Sequence, residues 1–264
     1  MSISDFSIIT VNAENVDELG FFCVKNKKHP SYVAKFSWLR QRFNEGLRIK
    51  LVMTKEGKQA GFIEYAPGEY TWRVVHAPDY LVIHCIWVIS NKFPNRGMAS
   101  ALLQKCCEAA QEGKKAGIAV ISSDGPWMAN KAVFLKNGFE LVDEAPPHFQ
   151  LLVKRIGKGP TPEFPRNWEE RLGQFKELQL IYTYQCPYID KAIAELPSVA
   201  EQHGITLKLT ELADPTQARK IMPSPYGVIC LGYQGRLLAD HPISATRFRN
   251  ILQKDLGLQP TDRL

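Results

Sequence analysis

The spacing of apolar residues predicts a first part of the chain in which helices alternate with strands. Strands are expected at 6–11, over a hairpin at 49–66, near 71–76 and at 80–89. Helices are expected at 13–24 and 31–46, where apolar residues recur every three or four positions. The 80–89 segment is almost continuously apolar, β-branched and aromatic, which is typical of a central strand covered on both faces.

Beyond this strand the pattern continues with helices and strands in turn. Residues 97–116 favour a helix, and its inward stripe consists of Leu102, Leu103, Cys106 and Ala110. A buried strand over 117–125, a helix over 127–139 and a strand over 139–143 follow. Gly138 suits the left-handed residue that ends a helix.

A run rich in Gly and Pro, GKGPTPEFP at 157–165, separates two parts of the chain. Such a run continues neither a strand ladder nor a helix comfortably. We therefore predict a first domain over 1–156, a linker over 157–175 and a second domain over 176–264.

The second domain has a β-α-β-α-β-β-α pattern. It begins with the strand ELQLIYTYQ and a helix with Pro187 in its first turn. It ends with a hairpin through Gln234 and Gly235 and a helix from about Ser244. This order of elements is that of a small thioredoxin-like domain, so the predicted fold class is α/β (α+β) throughout.

Composition supports an ordinary folded chain. A length of 264 residues suits two domains, and 45% of the residues are hydrophobic. The sequence contains neither a signal-like start nor an apolar run of about 18 residues, so we expect a cytoplasmic protein without a membrane partner. The six cysteines show no disulfide or zinc spacing, which predicts reduced thiols and no bound metal.

The net charge of +6 comes from the first part of the chain. Residues 1–156 hold 20 Lys and Arg against 15 Asp and Glu, whereas 176–264 hold 10 against 9. Because this excess is spread rather than clustered, it favours a small anionic ligand over a nucleic acid.

The end of the central strand carries the most specific motif. HCIWV leads into the loop NKFPNRGMAS, which opens directly into the 97–116 helix. These residues resemble the acetyl-CoA motif of the GNAT superfamily of N-acetyltransferases. Free N–H groups and the dipole at a helix start can hold a pyrophosphate. The resemblance implies acetyl-CoA as cosubstrate, held by Trp87, Val88, Lys92, Asn95, Arg96, Gly97, Met98, Ala99 and Ser100.

The motif departs from the family pattern at two positions. Pro94 stands where the family has Gln or Arg, and Ala99 replaces the second glycine. The order of elements still matches the GNAT arrangement across 1–156, through the terminal KNGFELVD. The resemblance implies a GNAT acyl-CoA N-acyltransferase fold with a mixed central sheet, whose strands splay after Val88 to admit the pantetheine arm.

Acetyl transfer needs an uncharged amine, a polarised thioester carbonyl and often a proton for the leaving thiolate. Many family members supply that proton from a Tyr four residues before the terminal Gly, but this chain has Phe134 there. The alternative hydroxyls are Tyr65, Tyr70, Ser122 and Ser123. Departure through water or without an acid is a further alternative.

Two residues are candidates for the general base. His84 lies on the central strand and titrates near neutral pH, and Glu64 lies on the preceding hairpin. Each also has a purely structural alternative, as a hydrogen-bonded core histidine and as a solvated strand position.

The segment YTYQCPYIDKAI resembles the start of thioredoxin and glutaredoxin helices. There Cys186 begins a helix, whose N-terminus would stabilise its thiolate and make it a third candidate catalytic group. Ile189 replaces the second cysteine of a dithiol site, which leaves monothiol chemistry. MPSPYGVI resembles the cis-proline loop, which would place Pro225 beside Cys186.

Together the two parts resemble the YoaP-type GNAT family. This implies acetyl transfer to an amine of a small molecule or a protein, and it leaves the oligomeric state open. One alternative is a thiol-redox or thiol-ligand module that uses Cys186, with the first domain as a CoA sensor. A non-catalytic adaptor is another.

Overall fold

Two β-sheets organise the chain. The structure, a computed structural model, describes residues 6–89 and 97–261. The larger sheet has the strand order β1-β2-β3-β4-β5-β7-β6. Its strands are β1 (Phe6–Val11), β2 (Arg48–Thr54), β3 (Gln59–Pro67), β4 (Tyr80–Val88), β5 (Gly117–Ser123), β6 (Glu140–Ala145) and β7 (Phe149–Arg155). The smaller sheet has the order β11-β10-β8-β9, with β8 (Gln179–Tyr182), β9 (Lys208–Glu211), β10 (Ile229–Tyr233) and β11 (Arg236–Ala239).

Helices flank both sheets. They are α1 (Val16–Leu19), α2 (Pro30–Phe43), α3 (Met98–Glu112), α4 (Lys131–Leu135), α5 (Trp168–Leu172), α6 (Asp190–Gln202), α7 (Pro215–Ile221) and α8 (Ala245–Asn250). Proline occupies the first position of α2 and α7, where a missing N–H costs nothing. No helix in the described part of the chain is long and apolar enough to cross a membrane.

The larger sheet splits near its centre, between β4 and β5. β4 pairs with β5 in parallel, whereas the other strand pairs of this sheet are antiparallel, so the sheet is mixed as predicted. The β4–β5 ladder ends at the pair Ile83 and Val120, although β4 continues to Val88. The strands therefore separate five residues earlier than the expected point after Val88.

A β-bulge marks the start of this separation. Glu64 on β3 faces Cys85 on β4, and Tyr65 faces Ile83, so His84 is an extra residue without a partner opposite it. A bulge bends its strand and increases the local twist. We infer that the bulge at His84 turns β4 away from β5, because the two features begin at the same position.

The two faces of the larger sheet carry different layers. On one face α3 and α4 pack with the sheet, and the predicted stripe of α3 is confirmed as buried: Leu102, Leu103, Cys106 and Ala110. On the other face the core is continuous from α2 to the smaller sheet, through residues such as Leu39, Trp72, Phe164 and Leu180. The two sheets thus share one hydrophobic core.

Three predicted elements differ from the structure. The 13–24 helix is limited to α1, because Gly20 adopts a left-handed φ of 65°. The 127–139 helix is limited to α4. Trp127 has a left-handed φ of 73°, which is incompatible with an α-helix. Gly138 is left-handed as predicted, at φ 81°.

The third difference concerns 71–76, which is an irregular segment and not a strand of the sheet. Its residues are held by the chain after 176. The Arg219 Nη1 donates to the carbonyl of Thr71 at 2.8 Å, and the Val74 N–H donates to the carbonyl of Pro225 at 3.3 Å. Its apolar residues are therefore buried by tertiary packing and not by strand pairing.

The predicted linker is also ordered. Phe164, Trp168 and Phe175 are buried in the shared core, and His76 forms a backbone bridge with Glu163. The segment thus acts as a packed layer between the two sheets, although its Gly and Pro content suggested a spacer.

The smaller sheet follows the predicted β-α-β-α-β-β-α order. β8 and β9 are parallel, and β10 is antiparallel to both β8 and β11. Gln234 and Gly235 form the predicted hairpin turn, with φ values of 47° and 74° that suit a two-residue turn between twisted strands.

The contact between Gly227 and the 71–76 segment gives a stability prediction. A Cβ at Gly227 would lie 2.1 Å from the carbonyl oxygen of Trp72, at a left-handed φ of 68°. We expect Gly227→Ala to lower the free energy of unfolding by about 3 kcal/mol, measured by urea denaturation.

Gly235→Ala is the matched control. Its φ is 74°, yet a Cβ there meets no atom within 4 Å. It should therefore cost only the left-handed backbone, about 1 kcal/mol. Equal losses in the two variants would contradict the close approach of Gly227 to Trp72.

Candidate functional site

The separation of β4 and β5 creates a slot in the sheet. Beyond the pair Ile83 and Val120, the facing edges of β4 and β5 are no longer paired with each other. Buried backbone N–H and C=O groups require partners, so these edges can bind an extended polar ligand. The slot is lined by Arg73, Ile83, His84, Cys85, Ile86, Trp87, Val120, Ile121, Trp127, Met128, Ala129 and Phe134.

The helix that follows β4 begins with amides that have no acceptor within the helix itself. The first helical bond of α3 runs from Ala101 N–H to Gly97 C=O at 2.9 Å. The amides of Met98, Ala99 and Ser100 therefore have no acceptor within the helix. Gly97 has a left-handed φ of 68°, and a Cβ there would meet no atom of residues 6–89 or 97–261 within 4 Å. This open helix start has the features of an anion site.

The side chains predicted to hold the cosubstrate differ in their surroundings. Trp87 lines the slot and is 61% exposed, and Val88 is half-buried beside it. Met98 is buried in the core, so only its backbone is available to a ligand. The predicted residues Lys92, Asn95 and Arg96 lie outside the described residues.

A second cavity lies between β3 and β4, the helix α2 and the second part of the chain. The first part contributes Phe21, Phe22, Cys23, Lys35, Ile49, Phe62, Glu64, Arg73, Cys85 and Trp127. The second part contributes Gln185, Cys186, Pro187, Tyr226 and Val228. Three residues, Arg73, Cys85 and Trp127, line both this cavity and the slot, so the two spaces meet at these side chains.

A buried ion pair forms one wall of this second cavity. Lys35 Nζ lies 2.7 Å from Glu64 Oε2 and donates to the carbonyl of Gln185 at 2.6 Å. Glu64 Oε1 lies 3.3 Å from His84 Nδ1. The structure therefore brings together the predicted residues Glu64 and His84 and adds Lys35. The signal for Lys35 in the sequence was a lysine on the apolar side of a helix, between Tyr32 and Trp38.

The hydrogen bonds of His84 define its tautomer. The Trp72 N–H points to His84 Nε2 at 3.3 Å, so this nitrogen is an acceptor, and Nδ1 carries the proton that Glu64 accepts. Thr71 Oγ1 lies 3.1 Å from the same Nε2. Burial lowers the pKa of His84, although Glu64 opposes this shift. His84 is therefore neutral, and both of its ring nitrogens are engaged.

The carboxylate of Glu64 is stabilised as an anion. Burial alone would raise its pKa, but the Lys35 ammonium and His84 outweigh burial and hold the pKa at about 2. A carboxylate with so low a pKa is a weak base at neutral pH. Glu64 and His84 thus fix the position of β3, β4 and α2, and a direct part in proton transfer stays a prediction.

Cys186 does not have the expected environment. It lines the cavity and precedes the turn Pro187–Ile189. Burial raises the pKa of its thiol, although the Tyr188 amide opposes this. Burial thus disfavours the thiolate that was predicted for Cys186, and a catalytic part for this residue stays a prediction. The sequence resemblance predicted a cis bond before Pro225, but Ser224–Pro225 is trans. The cis peptide bond found among the described residues is Pro146–Pro147.

The other two thiols of this cavity behave in the same way. Burial raises the pKa of Cys23, and it raises that of Cys85 to about 12. Among the described residues, no three His, Cys, Asp or Glu side chains are arranged to hold a metal ion.

The hydroxyls considered as replacements for the missing acid lie elsewhere. Tyr65 is buried against α3, and Tyr70 is exposed after β3. Ser122 donates to the carbonyl of Ala129 at 2.8 Å, and Ser123 accepts from the amide of Gly125 at 3.0 Å. None of these four residues lines the slot or the cavity, whereas Phe134 lines the slot.

Comparison with known proteins gives one relative that spans both parts of the chain. No family model matches. The chain is similar to the uncharacterized N-acetyltransferase YoaP of Bacillus subtilis (strain 168), with 28% identity over 249 residues, 92% of this chain and 97% of that protein.

Two solved structures resemble parts of the chain. Ribosomal-protein-alanine N-acetyltransferase from Brucella melitensis is 17% identical with a TM-score of 0.40 and covers 57% of this chain and 99% of its own. A GNAT family N-acetyltransferase (YhbS) from Escherichia coli, in complex with CoA, is 14% identical with a TM-score of 0.38. It covers 64% of this chain and 94% of its own.

The Glu64 ion pair predicts a specific dependence of stability on pH. Because the folded pKa of Glu64 lies below its unfolded value, the carboxylate stabilises the fold above about pH 4.3. This stabilisation is lost as the pH falls towards about 2. We expect Glu64→Gln to lower the free energy of unfolding by roughly 3 kcal/mol at pH 7, and the difference from wild type to shrink below pH 4.

Urea denaturation at several pH values measures both quantities. Glu140→Gln is the control, since Glu140 forms an exposed ion pair with Arg155 at 2.9 Å, and exposed pairs contribute little. A difference between wild type and Glu64→Gln that stays constant from pH 7 to pH 3 would rule out the low pKa of Glu64.

Proposed function

We propose that this protein is an acetyl-CoA-dependent N-acetyltransferase with a GNAT acyltransferase fold. The observation that carries the proposal is the opening between β4 and β5 at the bulge of His84, followed in the chain by the free amides of α3. A mixed sheet split in this way offers unpaired strand edges to an extended ligand and a helix start to its phosphates. The similarity to the Bacillus subtilis protein along both parts supports the same activity.

The residues fit acetyl-CoA in two places. The slot offers backbone groups beside Ile86, Trp87 and Val88 to the pantetheine arm, whose amides need hydrogen-bond partners. The amides of Met98, Ala99 and Ser100, with the open space at Gly97, suit the pyrophosphate. Lys92, Asn95 and Arg96 remain proposed phosphate contacts on the grounds of the sequence motif alone.

We place the acceptor amine in the second cavity. This cavity meets the slot at Arg73, Cys85 and Trp127, so an amine there would reach a thioester in the slot. The walls are mainly aromatic and aliphatic, and Gln185 Oε1 is buried without a hydrogen-bond partner in the described part of the chain. An amine N–H of a small molecule or of a protein side chain would satisfy this oxygen.

The amine must arrive uncharged, because an ammonium has no lone pair for attack. Glu64 and His84 act in this proposal as positioning residues that hold the wall of the cavity. Cys186 contributes to the same wall. With no strong base among these three, the proton of the amine passes to water.

We further propose that residues 176–264 form a thioredoxin-like domain. The strand order β11-β10-β8-β9, the parallel pair β8 and β9, and Cys186 before α6 support this. Ile189 and the raised pKa of Cys186 disfavour the alternative of a thiol-redox module. In this proposal the domain serves to complete the acceptor cavity.

A cytoplasmic location belongs to the same proposal. Its support is the cysteines, all of which are free, including the neighbouring buried pair Cys106 and Cys107. Reduced thiols are typical of the cytoplasm.

A substitution at Gly97 tests the phosphate site. Gly97→Glu would place a carboxylate at the start of α3, where we locate the pyrophosphate. We expect acetyl-CoA to bind more than tenfold more weakly in calorimetric titration, because like charges placed together cost several kcal/mol.

Gly57→Glu is the matched control for this experiment. Gly57 lies in the turn between β2 and β3 with a φ of 72°, and a Cβ there also meets nothing within 4 Å. The control therefore adds the same charge and the same backbone strain away from the slot. Equal weakening by both variants, or unchanged binding in Gly97→Glu, would refute the assignment of the phosphate site.

A substitution at Gln185 tests the acceptor cavity. With an amine that supports turnover, Gln185→Ala should raise the KM of the amine about fivefold, the value of one hydrogen bond, and leave the Kd of acetyl-CoA unchanged. Gln150→Ala is the control, because Gln150 also has a buried unpartnered Oε1 but lines neither space. A weaker affinity for acetyl-CoA in Gln185→Ala would argue against separate sites.

A further inference from the structure

Arg73 is a buried cation whose contacts are unusual. It is 4% exposed, and it donates through Nη1 to the carbonyl of Tyr226 and through Nη2 to the carbonyl of His84. Its guanidinium carbon lies 4.7 Å from the centre of the Tyr226 ring. These partners hold the guanidinium in a fixed position, but they are neutral.

The charge of Arg73 has no counter-ion among the described residues. No carboxylate in 6–89 or 97–261 comes within ion-pair distance of it, and Glu64 in the same cavity is already paired with Lys35 and His84. The Nε of Arg73 is buried, and no described residue forms a hydrogen bond with it. A buried charge and a buried donor both cost free energy when they are unpaired, which indicates that an anion binds here during function.

The position of Arg73 identifies the anion. Arg73 lines both the slot and the acceptor cavity, and it binds the carbonyl of His84, the bulge residue at which β4 leaves β5. Phe134, also in the slot, offers no proton to a leaving group. If the proposed acetyl transfer is correct, negative charge develops on the thioester in this place.

We propose that Arg73 is a catalytic residue that stabilises the negative charge of the reacting thioester and replaces a general acid. The amine nitrogen forms a bond to the thioester carbon, and the C=O π pair moves to the oxygen. When that pair returns, the C–S bond breaks and its electrons go to the sulfur. The amine proton goes to water, and the CoA thiolate leaves paired with Arg73 until solvent protonates it. Oriented N–H donors at such a point are a common source of catalysis.

This inference rests on the proposed function, and the first test separates the two. The pKa of the CoA thiol is measured in the complex by thiolate absorbance as a function of pH. We expect it to lie about one unit or more below that of free CoA, because a cation at close range favours the thiolate. In Arg73→Met the difference should vanish, and in Arg73→Lys part of it should remain.

The desulfo-CoA complex supplies the baseline for this titration. It corrects for the other charged and ionisable groups near Arg73, namely Lys35, Glu64, His84, Cys85, Cys186 and Tyr226. If CoA binds and its thiol titrates as in free solution, the role of Arg73 is overturned while the proposed function stands. If CoA does not bind at all, both fail.

A second test keeps the proposal falsifiable should Arg73→Met fail to fold. Phe134→Tyr would introduce a hydroxyl into the slot. A positioned acid contributes about 100-fold or more where one is needed, so Phe134→Tyr should raise kcat at least tenfold more in Arg73→Lys than in wild type. An equal effect in both backgrounds would show that Arg73 does not act on the leaving group.

Discussion

The buried ammonium of Lys35 holds together the elements on which the site depends. It pairs with Glu64 of the larger sheet, donates to the carbonyl of Gln185 in the second part of the chain, and lies 4.3 Å from the centre of the Trp38 ring within its own helix. Charges buried this deeply are favourable only when their geometry is satisfied, so none of these three contacts is readily exchanged for another. One cation thus sets the distance between the sheet, α2 and the second sheet.

The opening between β4 and β5 depends on the same hydrogen-bond network, which continues from Glu64 to His84 on β4. Glu64 accepts from His84, and His84 accepts from the amide of Trp72, so the bulge residue is bonded on both sides. A bulge in a strand that has lost its neighbour would otherwise be free to straighten. The irregular 71–76 segment, held in turn by Arg219 and Pro225, therefore keeps the slot open from behind.

Much of the fold could be predicted because its signals are local. The hairpin of β2 and β3, the central strand β4, the stripe of α3 and the turn at Gln234 each follow from the periodicity or turn chemistry of a few residues. The 71–76 segment was predicted wrongly for the same reason. Trp72, Val74 and Val75 have the composition of a strand, but tertiary contacts bury them instead, such as those of Trp72 with Trp38 and of the Val74 amide with the carbonyl of Pro225, which no local pattern reveals.

The site was predictable only in part, because its chemistry depends on tertiary neighbours. Glu64 and Cys186 do line one cavity, and His84 is hydrogen-bonded to Glu64, yet their protonation could not be read from the sequence. A cysteine before a helical turn suggested a stabilised thiolate, but burial has the larger effect and raises the pKa of Cys186. Lys35 and Arg73 escaped notice because a lysine in a helix and an arginine in a loop are usually solvated.

The second part of the chain has a clear physical role. Its carbonyls at Gln185 and Tyr226 accept hydrogen bonds from Lys35 and Arg73, two cations that the first part alone would leave without these partners. Since unsatisfied buried donors are costly, a first part without its companion would have to let water into the cavity or move these side chains. The shared hydrophobic core prevents that separation. The second cavity is therefore lined by both parts of the chain, and its shape can change through substitutions in either part.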